Sequence, residues 1–251
     1  MQETTSPANI AEKDIQNGRA LALIALFVVA LIPFLVHYNL LKAPLQGNEL
    51  RLILFDDLLH SPSASVTALD RMPGSPLGAV AVGFFWWLGG GSAEVMRITA
   101  LLVWVISALL LVHALRLWLC RNDSIAVPLL GGLLYALCPL SVFPLAALDA
   151  WPSLLALVFA VTSLTLFLQA TKKPGQIDLL FLVLSCCALA LAAAAYYSLL
   201  VLPVFLVIID LLRFDENGHL RLKPEGTAYL VLAGCAVAVG TVMWSSKISF
   251  G

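Results

Sequence analysis

The sequence predicts an all-α membrane protein, a polytopic helix bundle of about seven transmembrane helices with an interfacial helix in its first external loop. Of its 251 residues, 61% are hydrophobic and only 12% are charged, and the mean hydropathy is +0.97. A water-soluble domain of this length needs a more polar surface, and disordered chains are much less hydrophobic. The formal net charge of −1 gives no basic field for nucleic acid. We therefore expect the chain to lie in a lipid bilayer and to have no nucleic acid as a partner.

Seven apolar stretches approach the length of about 20 residues that a helix needs to cross the hydrocarbon layer. The fifth and sixth are almost continuous from Asp178 to Arg213. At about 1.5 Å per residue this stretch is nearly twice the bilayer thickness, so we divide it at a tight hairpin around Tyr196–Tyr197–Ser198. The predicted spans are 20–41, 97–119, 125–147, 152–170, 178–196, 199–213 and 227–244.

The distribution of Lys and Arg predicts the orientation, because short cytoplasmic loops are enriched in both. The basic connectors RLWLCRND, TKKPGQID and RFDENGHLRLKPEG fall on the side of the N-terminus, whereas the turns near Ala147 and Tyr197 carry no basic residue. We therefore expect a cytoplasmic tail (1–19), a transmembrane domain (20–244) and an external tail (245–251). The expected location is a bacterial inner membrane, with the N-terminus cytoplasmic and the C-terminus external.

The first external loop, 42–96, is one long segment that holds four basic residues and most of the external acids, and it is the place where chemistry is expected. Within it, PLGAVAVGFFWWLG (Pro76–Gly89) is too short and too rich in glycine to span a membrane. It predicts an interfacial or re-entrant helix with Trp86 and Trp87 at headgroup depth.

Two adjacent carboxylates follow the first span in LILFDDLLH. Asp56 and Asp57 could accept a proton from an acceptor hydroxyl or hold a divalent cation, and His60 lies one helical turn away. The alternative is structural: one aspartate caps a short surface helix and the other is solvated.

Two arginines, Arg71 and Arg97, flank the Pro76–Gly89 segment on the same side. Guanidinium groups suit phosphate or carboxylate, so the pair could hold an anionic lipid headgroup. The alternative is that both side chains extend to the membrane interface as ordinary surface arginines.

Several segments occur in an order typical of one family. Leu54-Phe55-Asp56-Asp57 follows the first span, a proline-opened segment begins at Met72-Pro73-Gly74-Ser75-Pro76, and a P-x-x-x-x-x-x-D-L-L pattern begins at Pro203. Between them lie RITALLVWVISALLLVHALR, LLGGLLYALCPLSVFP and WPSLLALVFAVTSLTLFL. This order resembles the membrane half of a GT-C glycosyltransferase, nearest to the tetratricopeptide-containing transmembrane O-mannosyltransferase branch and its bacterial relatives.

The resemblance implies transfer of a sugar from a polyprenyl-phosphate carrier on the external face, with Asp56 or Asp57 as base or metal partner. Arg71 or Arg97 would bind the phosphate. The cofactor is left open, and a divalent cation is the candidate. Two departures support another hypothesis. Cys138-Pro139, followed by Leu, Ser, Val and Phe, stands where the family has His-Pro with a nearby Glu, and Ala195-Tyr196-Tyr197 stands where it has a Lys/Arg-Glu pair. The alternative is a non-catalytic scaffold or accessory subunit that joins protein subunits of a membrane complex.

Overall fold

Helices form all the regular structure in the part of the chain that the structure describes. This computed structural model describes residues 23–38, 76–119, 126–138, 151–172, 177–196, 199, 201–212 and 240. These residues contain seven α-helices and no strand, which confirms the predicted all-α class. The helices are α1 (Leu23–Tyr38), α2 (Pro76–Leu88), α3 (Ala93–Leu119), α4 (Ala126–Ala136), α5 (Trp151–Ala170), α6 (Leu179–Ala195) and α7 (Leu202–Leu211).

Two of these helices, α3 and α5, are long and apolar enough to cross a membrane. They have 27 and 20 residues. The helices α1, α4, α6 and α7 are apolar but have only 10–17 residues. Helix lengths among the described residues therefore identify two membrane-length helices, and the predicted span 227–244 lies almost wholly outside those residues.

The short helix α2 ends in a glycine turn that leads directly into α3. Gly90 and Gly91 adopt φ values of 60° and 75°, and their N–H groups donate to the carbonyl oxygens of Trp87 and Trp86, both at 3.1 Å. Glycine favours this left-handed conformation because it has no Cβ. Ser92 then caps α3 by accepting from the Val95 N–H at 3.4 Å. This cap explains why α3 begins at Ala93, four residues before the predicted span.

Helix α4 corrects the predicted third span, because 125–147 is not one continuous helix. The α-helix ends at Ala136, and the chain turns at Leu137 before it leaves regular structure at Cys138. Pro139 follows, and the residue before a proline is disfavoured in the α conformation. The remainder of this predicted span lies outside the described residues.

Helices α5 and α6 form an antiparallel hairpin. The side chain of Asp178 caps α6 by accepting from the Leu180 N–H at 3.1 Å, and the Asp178 N–H donates to the Ala170 carbonyl at 3.0 Å. Farther along the helices, Ser163 contacts Ser185. At the other end, α6 stops at an extended Tyr196 with φ −154° and ψ 108°, which confirms the predicted break at this position.

Contacts between helices fix their relative directions. Helices α3 and α5 are parallel, because Met96 and Trp151 share one buried cluster while His113 lies 3.1 Å from Gln169 near their other ends. Helix α4 is antiparallel to α3, since Tyr135 stacks on Trp104 while Gly131, earlier in α4, lies against Leu115, later in α3. We call the two extremities of the bundle the Trp151 end and the Gln169 end.

Helix α5 lies at the centre of the bundle. None of its residues is exposed, and it packs against α2, α3, α6 and α7. The outer helices instead carry large exposed apolar side chains, including Phe27 on α1, Leu134 on α4, Leu180 on α6 and Phe205 on α7. The described helices therefore carry apolar surface on the outside of the bundle, as expected of a face that contacts a membrane or another protein.

Candidate anion-binding site

The Trp151 end holds the largest buried cluster among the described residues. Trp151, at the start of α5, has 0% exposure, and its ring centroid lies 4.9 Å from that of Phe85 on α2. Val82 and Trp86 of α2 join the cluster, as does Met96 of α3. Val82 and Trp86 are four residues apart and so lie on one helical face, which packs against the ends of α3 and α5.

Arg97 lies in the second turn of α3, beside this cluster, and only 3% of it is exposed. It shares a helical face with the buried residues Leu101 and Trp104, because the spacings are four and seven residues. Its Nε atom is inaccessible to solvent. The guanidinium group is therefore not displayed in the manner of an ordinary interfacial arginine. A buried cation requires compensation by an anion or by strong hydrogen bonds.

A second buried nitrogen-bearing side chain is His37, which is 4% exposed. Val29, Pro33 and His37 recur every four residues and are all buried, so they form the inner face of α1. Val29 shares a cluster with Ala108 of α3, while Phe34 packs against the cluster at the Trp151 end.

These contacts make α1 antiparallel to α3 and fix the level of His37 in the bundle. From Val29 to His37 the helix advances by about 12 Å, and from Ala108 back to Arg97 by about 16 Å, at about 1.5 Å per residue. His37 and Arg97 therefore lie near the same level, at the Trp151 end.

The indole of Trp151 adds a third donor. Its Nε1 atom is buried and has no hydrogen-bond partner among the described residues. An indole N–H can only donate, and a buried donor without an acceptor costs about 1–3 kcal/mol. Trp151 also stands at the N-terminus of a 20-residue helix, where the helix dipole favours negative charge.

His37, Arg97 and Trp151 all lie at the Trp151 end of the bundle, and we call these three residues the donor end. Guanidinium and indole groups donate hydrogen bonds and cannot accept them, and an imidazole can donate one or two. Such a set is suited to anionic oxygen atoms, either phosphate or carboxylate. It is not a set of metal ligands, and the described residues contain no group of three His, Cys, Asp or Glu side chains that could hold a metal ion.

Of the five candidate site residues that the sequence predicts, Arg97 alone is among the described residues. The others, Asp56, Asp57, His60 and Arg71, lie outside the described residues, so their relation to Arg97 stays a prediction.

Neither His37 nor Trp151 is among the site residues predicted from the sequence. His37 had a detectable signal, since it continues the four-residue spacing of Val29 and Pro33 into the polar end of the first span. Trp151 had none, because an apolar aromatic residue at the start of an apolar helix is indistinguishable from core.

No protein family model, curated protein or solved structure matches this chain.

Proposed function

We propose that this chain is a polytopic membrane protein of the GT-C type that transfers a sugar from a polyprenyl-phosphate donor at its external face. The burial of Arg97 at the Trp151 end carries this proposal. In the predicted topology this end is the external one, so the buried guanidinium would lie at the depth of the phosphate of a lipid-linked sugar.

The donor end supports an anionic ligand in two ways. Its three nitrogen-bearing side chains come from α1, α3 and α5, so a bound anion would join three separate helices. Its surroundings are aromatic and apolar, with Trp86, Met96 and Leu154 buried in the adjoining cluster. An electrostatic interaction is stronger in such a medium than in water, which would offset the cost of taking the phosphate out of water.

In the proposed reaction, a carboxylate of Asp56 or Asp57 takes the proton of the acceptor hydroxyl. The hydroxyl oxygen bonds to the anomeric carbon of the sugar as the bond from that carbon to the phosphate oxygen breaks. The electron pair of the broken bond stays on the polyprenyl phosphate, where charge increases. Arg97 would stabilise that charge, because a fixed cation contributes most where charge develops in the transition state.

A transfer assay with a radiolabelled polyprenyl-phosphate sugar in vesicles tests this proposal. We expect Arg97→Gln to raise the KM for the donor and to lower kcat, so that kcat/KM falls by about 10- to 100-fold, the equivalent of about 1.5–3 kcal/mol for a hydrogen bond to a charged group. Arg116→Gln is the matched control, since Arg116 is an exposed arginine at the opposite end of the same helix, and its KM should not change.

The aspartates need a separate comparison. The Asp56→Asn/Asp57→Asn double variant should lose kcat while retaining donor binding. Equal rates of transfer by this variant and the wild type would contradict the catalytic proposal, as would a wild type that transfers no sugar.

The second candidate is a non-catalytic accessory subunit with the same helical frame. The sequence favours it, because Cys138-Pro139 stands where the resembling family has His-Pro with a nearby Glu, and Ala195-Tyr196-Tyr197 where it has a Lys/Arg-Glu pair. This candidate predicts a stable protein partner after mild detergent extraction. A mass measurement that finds the chain alone would count against it.

A further inference from the structure

Helix α2 contains no charged residue and no hydroxyl, amide or carboxyl side chain along its 13 residues, PLGAVAVGFFWWL. A helix that lies on a membrane surface normally has a strongly polar face toward water. A helix that is apolar on all sides requires an apolar environment on all sides. The composition of α2 is therefore incompatible with an outer face in water.

The two faces of α2 have different surroundings. The inner face packs against the bundle, and its Trp86 is 2% exposed, whereas the adjacent Trp87 is 59% exposed. Phe84 is also exposed and packs beside Trp87, with ring centroids 6.4 Å apart. The outer face carries four large exposed apolar residues, Val80, Phe84, Trp87 and Leu88.

This outer face is continuous with an exposed apolar stripe on α3. The end of α2 touches the start of that stripe, because a Cβ placed at Gly89 would lie only 3.1 Å from Val95 Cγ1. The stripe continues along α3 through Leu102 and Ile106, at helical spacings of seven and four residues, and all three side chains are exposed. Because α3 is long and apolar enough to cross a membrane, the same acyl chains that would cover its stripe can cover α2.

We propose that the outer face of α2 is immersed in the acyl chains of the outer leaflet, so that α2 is a membrane-embedded helix that does not cross the bilayer. At about 1.5 Å per residue its length is about 20 Å, against a hydrocarbon thickness of about 30 Å. The occupant of this face is lipid rather than water or a second protein. The inference rests on the proposed membrane embedding of the bundle.

Site-directed spin labelling in phosphatidylcholine vesicles tests the inference. Single cysteines replace Phe84 and Trp87 on α2 and Ile106 at the middle of α3, in a full-length background without the natural cysteines. Lipid-soluble oxygen and a water-soluble nickel chelate serve as the two relaxation agents. A label at Val82, which is buried, is the matched control on the inner face of the same helix.

We expect the labels at 84 and 87 to be relaxed by oxygen and protected from nickel, at a shallower depth than the label at 106. The label at 82 should be protected from both agents. Relaxation by nickel at 84 and 87, with oxygen contact kept at 106, would overturn the inference while leaving the membrane proposal intact. Protection from both agents at 84 and 87 would also overturn it, since protein would then cover the face. Nickel contact at 106 would instead refute the membrane embedding itself.

Discussion

Tyr135 of α4 stacks on Trp104 of α3, with ring centroids 4.4 Å apart and planes 11° apart. Its hydroxyl lies 2.9 Å from the Ser107 Oγ, which itself donates to the Trp104 carbonyl at 2.7 Å. Because the serine has a single proton, the tyrosine hydroxyl must be the donor to Ser107. The Trp104 indole completes the group by donating to the Ala136 carbonyl at 3.3 Å. This network joins α3 to α4 inside an otherwise apolar interface.

The direction of these hydrogen bonds predicts unequal effects of two substitutions. Tyr135→Phe removes one donor and leaves no buried group unsatisfied, so we expect a loss of about 1 kcal/mol in the free energy of unfolding. Ser107→Ala leaves the tyrosine hydroxyl without its acceptor and should cost more, within about 1–3 kcal/mol. Thermal unfolding in detergent, followed by circular dichroism, measures both. A larger effect for Tyr135→Phe than for Ser107→Ala would contradict the assigned directions.

A second prediction concerns the pair that joins α5 to α6. Ser163 Oγ donates to the Ser185 carbonyl at 2.9 Å, and Ser185 Oγ donates to the Ser163 carbonyl at 2.8 Å. The two hydroxyl oxygens are 3.1 Å apart. Ser163→Ala and Ser185→Ala should therefore be coupled, because residues in contact give non-additive changes in stability. We expect the double variant to lose less stability than the sum of the single losses.

The control for this cycle pairs Ser163→Ala with Cys187→Ala, since Cys187 is exposed on the same helix as Ser185. Those two changes should be additive within about 0.5 kcal/mol. Additive losses in the Ser163–Ser185 cycle would contradict the prediction, since the two serines would then stabilise the protein independently of each other.

Hydropathy predicted the existence of the helices better than their ends. Helices α5 and α6 match their predicted spans within one residue at each end. In both cases the apolar run in the sequence ends where the chain turns. Helix α4 is shorter than its predicted span. The apolar sequence on which that span was based extends past Pro139, although the proline itself predicts that the helix ends before it.

The donor end was harder to predict, because burial depends on packing between distant segments. Arg97 was identified from its residue type and position, yet its 3% exposure results from how the helices pack around it. The donor role of Trp151 depends on its Nε1 having no acceptor among the described residues, and no sequence periodicity predicts that.

Close contact between α3 and α4 gives a third prediction. A Cβ at Gly132 would overlap the Cγ2 methyl group of Val112, and a β-branched valine in a helix has one strongly preferred rotamer. We therefore expect Gly132→Ala to lower the free energy of unfolding by about 1–3 kcal/mol, the usual cost of overpacking. Thermal unfolding in detergent again gives the change.

The same contact suggests a compensating change. Val112→Ala should restore part of the stability that Gly132→Ala removes, since it deletes the methyl group in the way. Gly240→Ala is the control, because a Cβ at Gly240 meets nothing within 4 Å. A Gly132→Ala variant as stable as the Gly240→Ala variant would contradict the close packing of α3 on α4.

The directions of the helices and the orientation of the chain together predict on which side of the membrane each loop lies. Helix α3 begins and α6 ends at the Trp151 end, while the connection between α5 and α6 lies at the Gln169 end. If the basic loops are cytoplasmic, a reporter that is active only outside the cytoplasm should be active when fused after Gly74 and silent when fused after Gly175. The two fusion sites lie on either side of α3, α4 and α5, so an odd number of crossings should separate them. Equal activity at both sites would contradict an odd number of membrane crossings between them. Activity at Gly175 alone would invert the map, place Asp56 and Asp57 in the cytoplasm and remove the basis for transfer at the external face.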